Sequence, residues 1–378
     1  MSDTLDSALC RQARSIPALL EQQYADLEPK ARLALTTQEI FAVQRIVLTG
    51  CGDSLAAGMA AKYAFEGLAG IPTEVVPAIE LSRFYDPKQL GFSPYNPLVI
   101  AVSNSGGVAR VAEAVRRCAN RGALTLAVTG SPDAALGRSA EKLLKLDIPP
   151  FESAPGTRSY LVSVLSLLLL AIRFGEVRGR YTMDAAMACR GAIPALAQAL
   201  GEGMEALDGA CRALALAWKD CTAYDFIAAG ADYAAAWFGH AKVFEALGRP
   251  AMHINTEEWL HLNFFQRAVG STATVAVCGG DSPARSRMVE LLGYAGQMGR
   301  PLALVTDAPE AFPAGAALLP VPRASCPFLA PLVQFVPMSL LCGYLCGLLG
   351  EEDGRGCKGP WSFCQGGAAI KNSEIVLL

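Results

Sequence analysis

The sequence predicts an α/β fold of two tandem domains, each a doubly wound parallel sheet flanked by helices in three layers. Three observations predict it. Short apolar runs without polar alternation, such as Leu98-Val-Ile-Ala-Val102, suit strands buried on both faces, and they alternate with segments of helical periodicity. Several runs break into glycines and small hydroxyl residues before a helix begins. The pattern then recurs about 175 to 180 residues further on, as a duplicated domain would.

Residues 1–42 have Ile16, Leu19, Leu20, Tyr24 and Leu27 at steps of three and four, which predicts an amphipathic helical arm. Arg45-Ile-Val-Leu-Thr-Gly-Cys-Gly-Asp-Ser54 reads as a buried strand and a Gly-rich turn, followed by a helix from Leu55 to about Leu68. Thr73–Pro77, Leu98–Val102, Ala123–Val128 and Leu144–Ile148 are further strand candidates. Ser103-Asn-Ser-Gly-Gly107 opens the helix that follows the second of these. Free amides at a helix start beside serine hydroxyls form a phosphate site, although the same stretch reads equally as a tight turn without a ligand. Glu152-Ser-Ala-Pro-Gly-Thr-Arg-Ser159 is a polar loop suited to a phosphate or carboxylate, and it leads into the apolar run Tyr160–Phe174.

In the second half, Asp225-Phe-Ile-Ala-Ala-Gly230 matches the strand and turn ending at Gly50, and Ala273–Cys278 matches Leu98–Ser103. Gly293–Asp307 mirrors Cys118–Gly130. Ser-Asn-Ser-Gly-Gly of the first copy becomes Cys278-Gly-Gly-Asp-Ser282, so the second copy is expected to keep the scaffold without the phosphate. The expected organisation is an N-terminal arm over 1–42, a first domain over 43–180, a helical linker over 181–222, a second domain over 223–350 and a tail over 351–378.

Composition narrows the function classes. The 378 residues are 52% hydrophobic, enough for two cores, and the net charge of -3 comes without a polybasic run, so neither nucleic acid nor an anionic membrane is indicated as a partner. Twelve cysteines and three histidines show no CxxC, CxxH or HxxxH pair; no metal is predicted, and the cysteines read as reduced thiols of a cytoplasmic protein. Met1–Leu20 lacks the layout of an export signal. Tyr160–Phe174 is too short for a bilayer, and Leu329–Gly350 is interrupted by prolines and glycines, so both read as buried helices.

Together these residues resemble those of double sugar-isomerase (SIS) domain proteins. The likeness is greatest to the isomerase half of glucosamine-6-phosphate synthase and to the related sugar-phosphate deaminases and fructosamine-phosphate deglycases. It runs from about residue 45 to the C-terminus, and it implies two tandem flavodoxin-like SIS domains. The family's first turn, Gly-Cys-Gly-Thr-Ser, falls on Gly50-Cys51-Gly52-Asp53-Ser54; the second, Ser-Gln-Ser-Gly-Glu-Thr, falls on Ser103-Asn104-Ser105-Gly106-Gly107-Val108. The resemblance therefore assigns phosphate and sugar binding to Gly52, Asp53, Ser54, Ser103, Asn104 and Ser105. Its third loop, Ala-Ser-Thr-Lys, falls on Pro155-Gly156-Thr157-Arg158 and adds Thr157 and Arg158. Val108 replaces a threonine of the pattern, and Asp53 puts a carboxylate where a threonine is usual. Asp53 reads either as a sugar or amine contact or as a helix N-cap.

The family's Ala-Leu-Lys-Leu-Lys-Glu helix and Glu-Leu-Lys-His-Gly-Pro loop match Ala241-Lys242-Val243-Phe244-Glu245 and Glu258-Trp259-Leu260-His261. Ala369-Ile370-Lys371-Asn372-Ser373 matches its Leu-Ala-Lys-Ser-Val end. Moving a carbonyl between C1 and C2 of a sugar, or releasing an amine there, needs a carboxylate that shuttles a proton, which is the role of Glu245. His261 suits ring opening, Lys371 an imine with the open-chain ketose, and Lys242 an oxyanion or substrate contact. Phe238 stands where the synthase has a second helix glutamate. The expectation is a phosphosugar isomerase, aminosugar-phosphate deaminase or deglycase acting on an aminosugar 6-phosphate or fructosamine 6-phosphate without a cofactor, as a homodimer with shared sites. The alternative is a non-catalytic sugar-phosphate sensor, which Asp53, Val108 and Phe238 favour. His240 and His253 have no assigned role.

Overall fold

The computed structural model of the chain describes residues 5–90, 97–352 and 367–377. Ser7 starts α1 (Ala8–Arg14) by accepting from the Cys10 amide at 3.3 Å. After α2 (Ile16–Leu33), Thr36 starts α3 (Thr37–Ala42) with a capping box: its hydroxyl accepts from the Glu39 amide at 3.2 Å, and the Glu39 carboxylate accepts from the Thr36 amide at 2.8 Å.

Strands and helices then alternate through β1 (Ile46–Thr49), α4 (Asp53–Ala64), β2 (Thr73–Val75), α5 (Ala78–Arg83), β3 (Leu98–Val102), α6 (Ala109–Asn120), β4 (Leu124–Thr129) and β5 (Lys142–Lys145). Two long helices follow, α7 (Thr157–Val177) and α8 (Met183–Trp218). The alternation resumes with β6 (Ala223–Ala228), α9 (Tyr233–Leu247), β7 (Ala251–Asn255), α10 (Thr256–Leu262), β8 (Thr272–Val277), α11 (Arg285–Gln297), β9 (Leu302–Thr306) and β10 (Ala317–Pro320). Helices α12 (Pro331–Gln334), α13 (Val336–Leu349) and α14 (Gly367–Lys371) complete it.

The chain divides into two compact units: the described residues of 20–150, 159–194 and 356–378 form one, and those of 1–19, 151–158 and 195–355 the other. The first holds a five-stranded sheet of order β2-β1-β3-β4-β5, the second one of order β7-β6-β8-β9-β10. Every pairing is parallel. The two orders are the same when each sheet is numbered from its own first strand, so the sequence repeat is a repeat of topology. The central strands β1, β3, β4, β8 and β9 are buried throughout, which explains their unalternating apolar sequences. In the first unit α6 packs Ala114 and Cys118 against Val47 and Val99; in the second, α10 and α11 pack Trp259, Met288 and Leu291 against Ile227, Ala276 and Leu304.

Two expectations change. The fifth strand lies at Lys142–Lys145 rather than Leu144–Ile148, because pairing of Leu126 with Lys142 and Thr129 with Lys145 sets the register. The apolar run Tyr160–Phe174 extends into a 21-residue helix, long and apolar enough by length and composition to cross a bilayer, as is the segment Pro327–Leu349. Each of these two segments has 83% of its most apolar window buried inside the fold.

Candidate functional site

In an open parallel sheet of order 2-1-3-4-5, ligands bind beyond the strand C-termini where the chain direction reverses, here between β1 and β3. The turns that leave those two strands are the two Gly/Ser stretches. At the first, Gly50 is required by space: a methyl group there would lie 2.9 Å from Ser54 carbon atoms. Gly52, at φ +60°, occupies the N-cap of α4 without a side-chain cap, and Asp53 is the first helical residue, so the N-cap alternative for Asp53 is corrected. Asp53 raises the pKa of the fully buried Tyr160 hydroxyl, adding to the larger effect of burial.

At the second turn the Ser103 amide continues the sheet by donating to Val128 O at 3.0 Å, and the Gly106 amide closes the turn on Ser103 O at 3.0 Å. Gly106 has φ +61°, and a methyl group there would meet Ala134 Cβ at 2.8 Å and Thr129 Oγ1 at 2.9 Å. Ser103 is buried while Asn104 and Ser105 are exposed. Among the described residues no group accepts from the Asn104 or Ser105 amide, and Val108 at the N-cap of α6 offers no capping side chain. Two amides, the helix start and the serine hydroxyls are thus available to an anion.

Lys371 belongs to the same unit. Its exposed side chain runs beside Gly107, whose added methyl group would sit 3.7 Å from Lys371 Cγ and Cδ. The tail beyond it is held on α6. Arg110 Nη2 donates to Ser373 Oγ at 2.8 Å and to Glu374 O at 2.6 Å, and the Val376 amide donates to Glu113 Oε2 at 2.7 Å.

In the second unit Lys242 is fully buried on α9 and donates to Glu245, whose side chain is 43% exposed. His261, on α10, is exposed and lies 3.5 Å from Glu257. Below it, Trp259 and Arg300 both donate to the buried Asp225, at 3.3 and 2.8 Å, which anchors α10 and the strand ends under it. Thr157 is buried with its hydroxyl on Pro155 O and Ser339 Oγ, each at 3.2 Å. Arg158 donates to Ser15 Oγ at 2.7 Å and lies over the Phe151 ring at 4.4 Å. Both residues of the third loop therefore carry structural contacts. His240 and His253 stack at 4.2 Å, and burial, with His240 adding to it, pushes His253 down to about 4.

The second copy's turn after β8 is filled from within. The Gly279 amide donates to Asp232 Oδ2 at 3.1 Å and the Gly280 amide to Asp307 Oδ1 at 2.7 Å, while Gln334 donates to Asp232 Oδ1 at 2.7 Å. Asp232 is buried, and its pKa is raised by that burial and by Asp307, against the hydrogen bonds it accepts.

Comparison with known proteins finds a family match over part of the chain. The model of the SIS domain matches residues 39–173, the stretch that contains both Gly/Ser turns. The chain carries an SIS domain over these residues. The chain is similar to glutamine–fructose-6-phosphate aminotransferase (isomerizing) of Symbiobacterium thermophilum, 31% identical over 215 residues, covering 57% of this chain and 34% of that protein. The enzyme of the same name from Thermus thermophilus is 28% identical over 324 residues, 85% of this chain and 51% of that protein. The SIS chain thus spans about a third to a half of the length of these two relatives. The C-terminal domain of glucosamine-fructose-6-phosphate aminotransferase from Francisella tularensis shares the fold of two tandem SIS domains: TM-score 0.79 at 18% identity, over 92% of this chain and 97% of that one.

The residues that sequence reasoning missed are Arg110, Glu113, Asp232 and Asp307. The substitution of Ser-Asn-Ser-Gly-Gly by Cys-Gly-Gly-Asp-Ser signalled that the second turn differs; nothing in the sequence pairs α6 with the tail.

Proposed function

We propose that this chain is a phosphosugar enzyme that isomerises, deaminates or deglycates an aminosugar 6-phosphate or fructosamine 6-phosphate. The reading rests chiefly on one observation: Lys371 lies beside Gly107, at the end of the turn whose Asn104 and Ser105 amides have no acceptor among the described residues. The amides of Asn104 and Ser105, with the hydroxyls of Ser54, Ser103 and Ser105, hold the phosphate. The Lys371 amine attacks the C2 carbonyl of the open-chain ketose, and water leaves as the imine forms. Water then hydrolyses the imine, which regenerates the lysine and leaves the sugar open; Glu245 takes a proton from C1 of the open ketose and returns it to C2, the C1 hydroxyl proton passing to the C2 oxygen, so that the carbonyl moves from C2 to C1. His261 serves ring opening, by proton transfer at the ring oxygen. A cytoplasmic setting, which the described free cysteines fit, and a homodimer are part of the same reading.

Reductive trapping tests it. With a ketose 6-phosphate and cyanoborohydride, the wild type should gain one sugar phosphate, mapped by mass spectrometry to Lys371, and Lys371→Arg should not. Turnover of glucosamine 6-phosphate and of fructosamine 6-phosphates should fall at least about a hundredfold in Glu245→Gln. Unchanged turnover in that variant removes Glu245 as the base. The sensor reading is favoured by Phe238 in place of a glutamate; it prevails if sugar phosphates raise the melting temperature while none is trapped or turned over.

A further inference from the structure

We propose that Arg110 and Glu113, on the first two turns of α6, are positioning residues that clasp the C-terminal tail and thereby hold Lys371 at Gly107. The proposal rests on the sugar-phosphate reading only for the consequence in turnover. The clasp itself is made of contacts within one unit. Arg110 reaches two groups of the tail, Ser373 Oγ at 2.8 Å and Glu374 O at 2.6 Å, and also donates to Glu113. Glu113 has a fully buried side chain and takes the Val376 amide at 2.7 Å and Arg83 Nε at 3.0 Å. Burial pushes the Glu113 carboxyl up, but the hydrogen bonds from Arg83, the Val376 amide and Arg110 outweigh it and hold the group down at about 2. It is therefore a carboxylate at neutral pH.

These partners satisfy what burial demands. A fully buried carboxylate survives only when several donors converge on it, and one of the three here comes from the tail. The contacts with Ser373, Glu374 and Val376 lie just beyond α14, whose last residue is Lys371. Short helices such as α14 are not stable alone. With the tail tied down two to five residues past the lysine, its stem is confined to the surface of Gly107; without the ties the amine would sweep a volume set by a free chain end. Gly107 completes the arrangement, because it presents no side chain of its own where the family pattern has glutamate.

Trypsin cleavage after Lys371 reads the clasp directly, as release of the Asn372–Leu378 peptide. In Arg110→Ala, which leaves Glu113 paired with Arg83, release should be about tenfold faster or more, the effect of losing charge-assisted hydrogen bonds to the tail. Arg110→Lys should restore part of the protection. Glu113→Gln, in case Arg110→Ala fails to fold, should also speed release. Backbone hydrogen exchange at Glu374–Val376 should rise in step, while Lys371→Ala keeps wild-type exchange there. On substrate, kcat should fall in proportion to tail release, with KM for the sugar phosphate little changed. Wild-type rates of release and exchange in both α6 variants would overturn the clasp, and a freed tail with unchanged trapping of Lys371 would overturn its positioning role. A wild type that neither traps nor turns over any sugar phosphate would remove the catalytic reading alone, and proteolysis and exchange would still decide whether the clasp exists.

Discussion

The ammonium of Lys242 stands 4.7 Å from the centre of the Phe238 ring, one turn earlier on α9, and on its other side it donates to Glu245. A cation–π contact and one carboxylate thus face a lysine whose side chain has no exposed surface. This makes the two charged partners unequal. Removing Glu245 leaves a buried charge with less compensation, whereas removing Lys242 leaves a half-exposed carboxylate that water can solvate. Glu245→Ala should therefore cost about 1 to 3 kcal/mol, and Lys242→Met should be neutral or stabilising. Calorimetry of the two variants checks it; equal losses would show that the lysine is held mainly by other groups.

The fold was legible where burial is complete. Ile46–Thr49, Leu98–Val102, Thr272–Val277 and Leu302–Thr306 are covered on both faces and carry uninterrupted apolar residues. The edge strands Ala251–Asn255 and Ala317–Pro320 escaped notice because one side of each is unpaired and their burial is partial. The Gly/Ser turn after β3 was legible because its glycines and serines are contiguous. The clasp was not: Glu113 and Val376 meet across 263 positions, and only the fold brings them together.

Glycines at the two turns should respond differently to alanine. Gly52 has φ +60° with open space around its missing side chain, so Gly52→Ala carries only backbone strain, about 1 kcal/mol. Gly106 has the same kind of φ, and its methyl group would also strike Ala134 and Thr129. Gly106→Ala should cost more than Gly52→Ala in a denaturant titration and should abolish binding of inorganic phosphate by displacing the Asn104 and Ser105 amides. Equal costs would mean that the wall behind Gly106 yields.

Glu176 ties α7 to α8. Burial pushes its carboxyl up, but hydrogen bonds from Arg190 and Arg173, with Arg32 nearby, hold it at about 2. A folded-state pKa below that of the unfolded chain contributes stability that is whole above the unfolded value, about 4.3, and is lost as pH falls toward the folded one. Glu176→Gln should thus lower stability by about 2 to 3 kcal/mol at pH 7. The gap to wild type should narrow between about pH 4.5 and 2. Urea unfolding at a series of pH values measures it, and a gap independent of pH would place the effect in packing.

The two copies of the fold give the proposed phosphate site an internal control. The strand register corrects the sequence match of Gly230 to Gly50: Ile46 pairs with Leu98 and Tyr224 with Ala273, so Gly230 corresponds to Gly52 and Asp232 stands where Ser54 does in the first copy. Its carboxylate takes the Gly279 amide, and Asp307 takes the Gly280 amide, so the second copy satisfies with its own side chains the same amides that in the first copy, at Asn104 and Ser105, have no acceptor among the described residues. A carboxylate held there excludes a second anion by charge as well as by space. Titration with inorganic phosphate should therefore saturate at about one per chain, and Ser54→Asp should abolish that binding by importing the second copy's solution into the first turn. Asp232→Asn should leave the phosphate stoichiometry unchanged and lower stability, because the Gly279 amide then depends on a weaker neutral acceptor. Two phosphates bound per wild-type chain, or undiminished binding in Ser54→Asp, would mean that the turn after β3 is not the phosphate's seat.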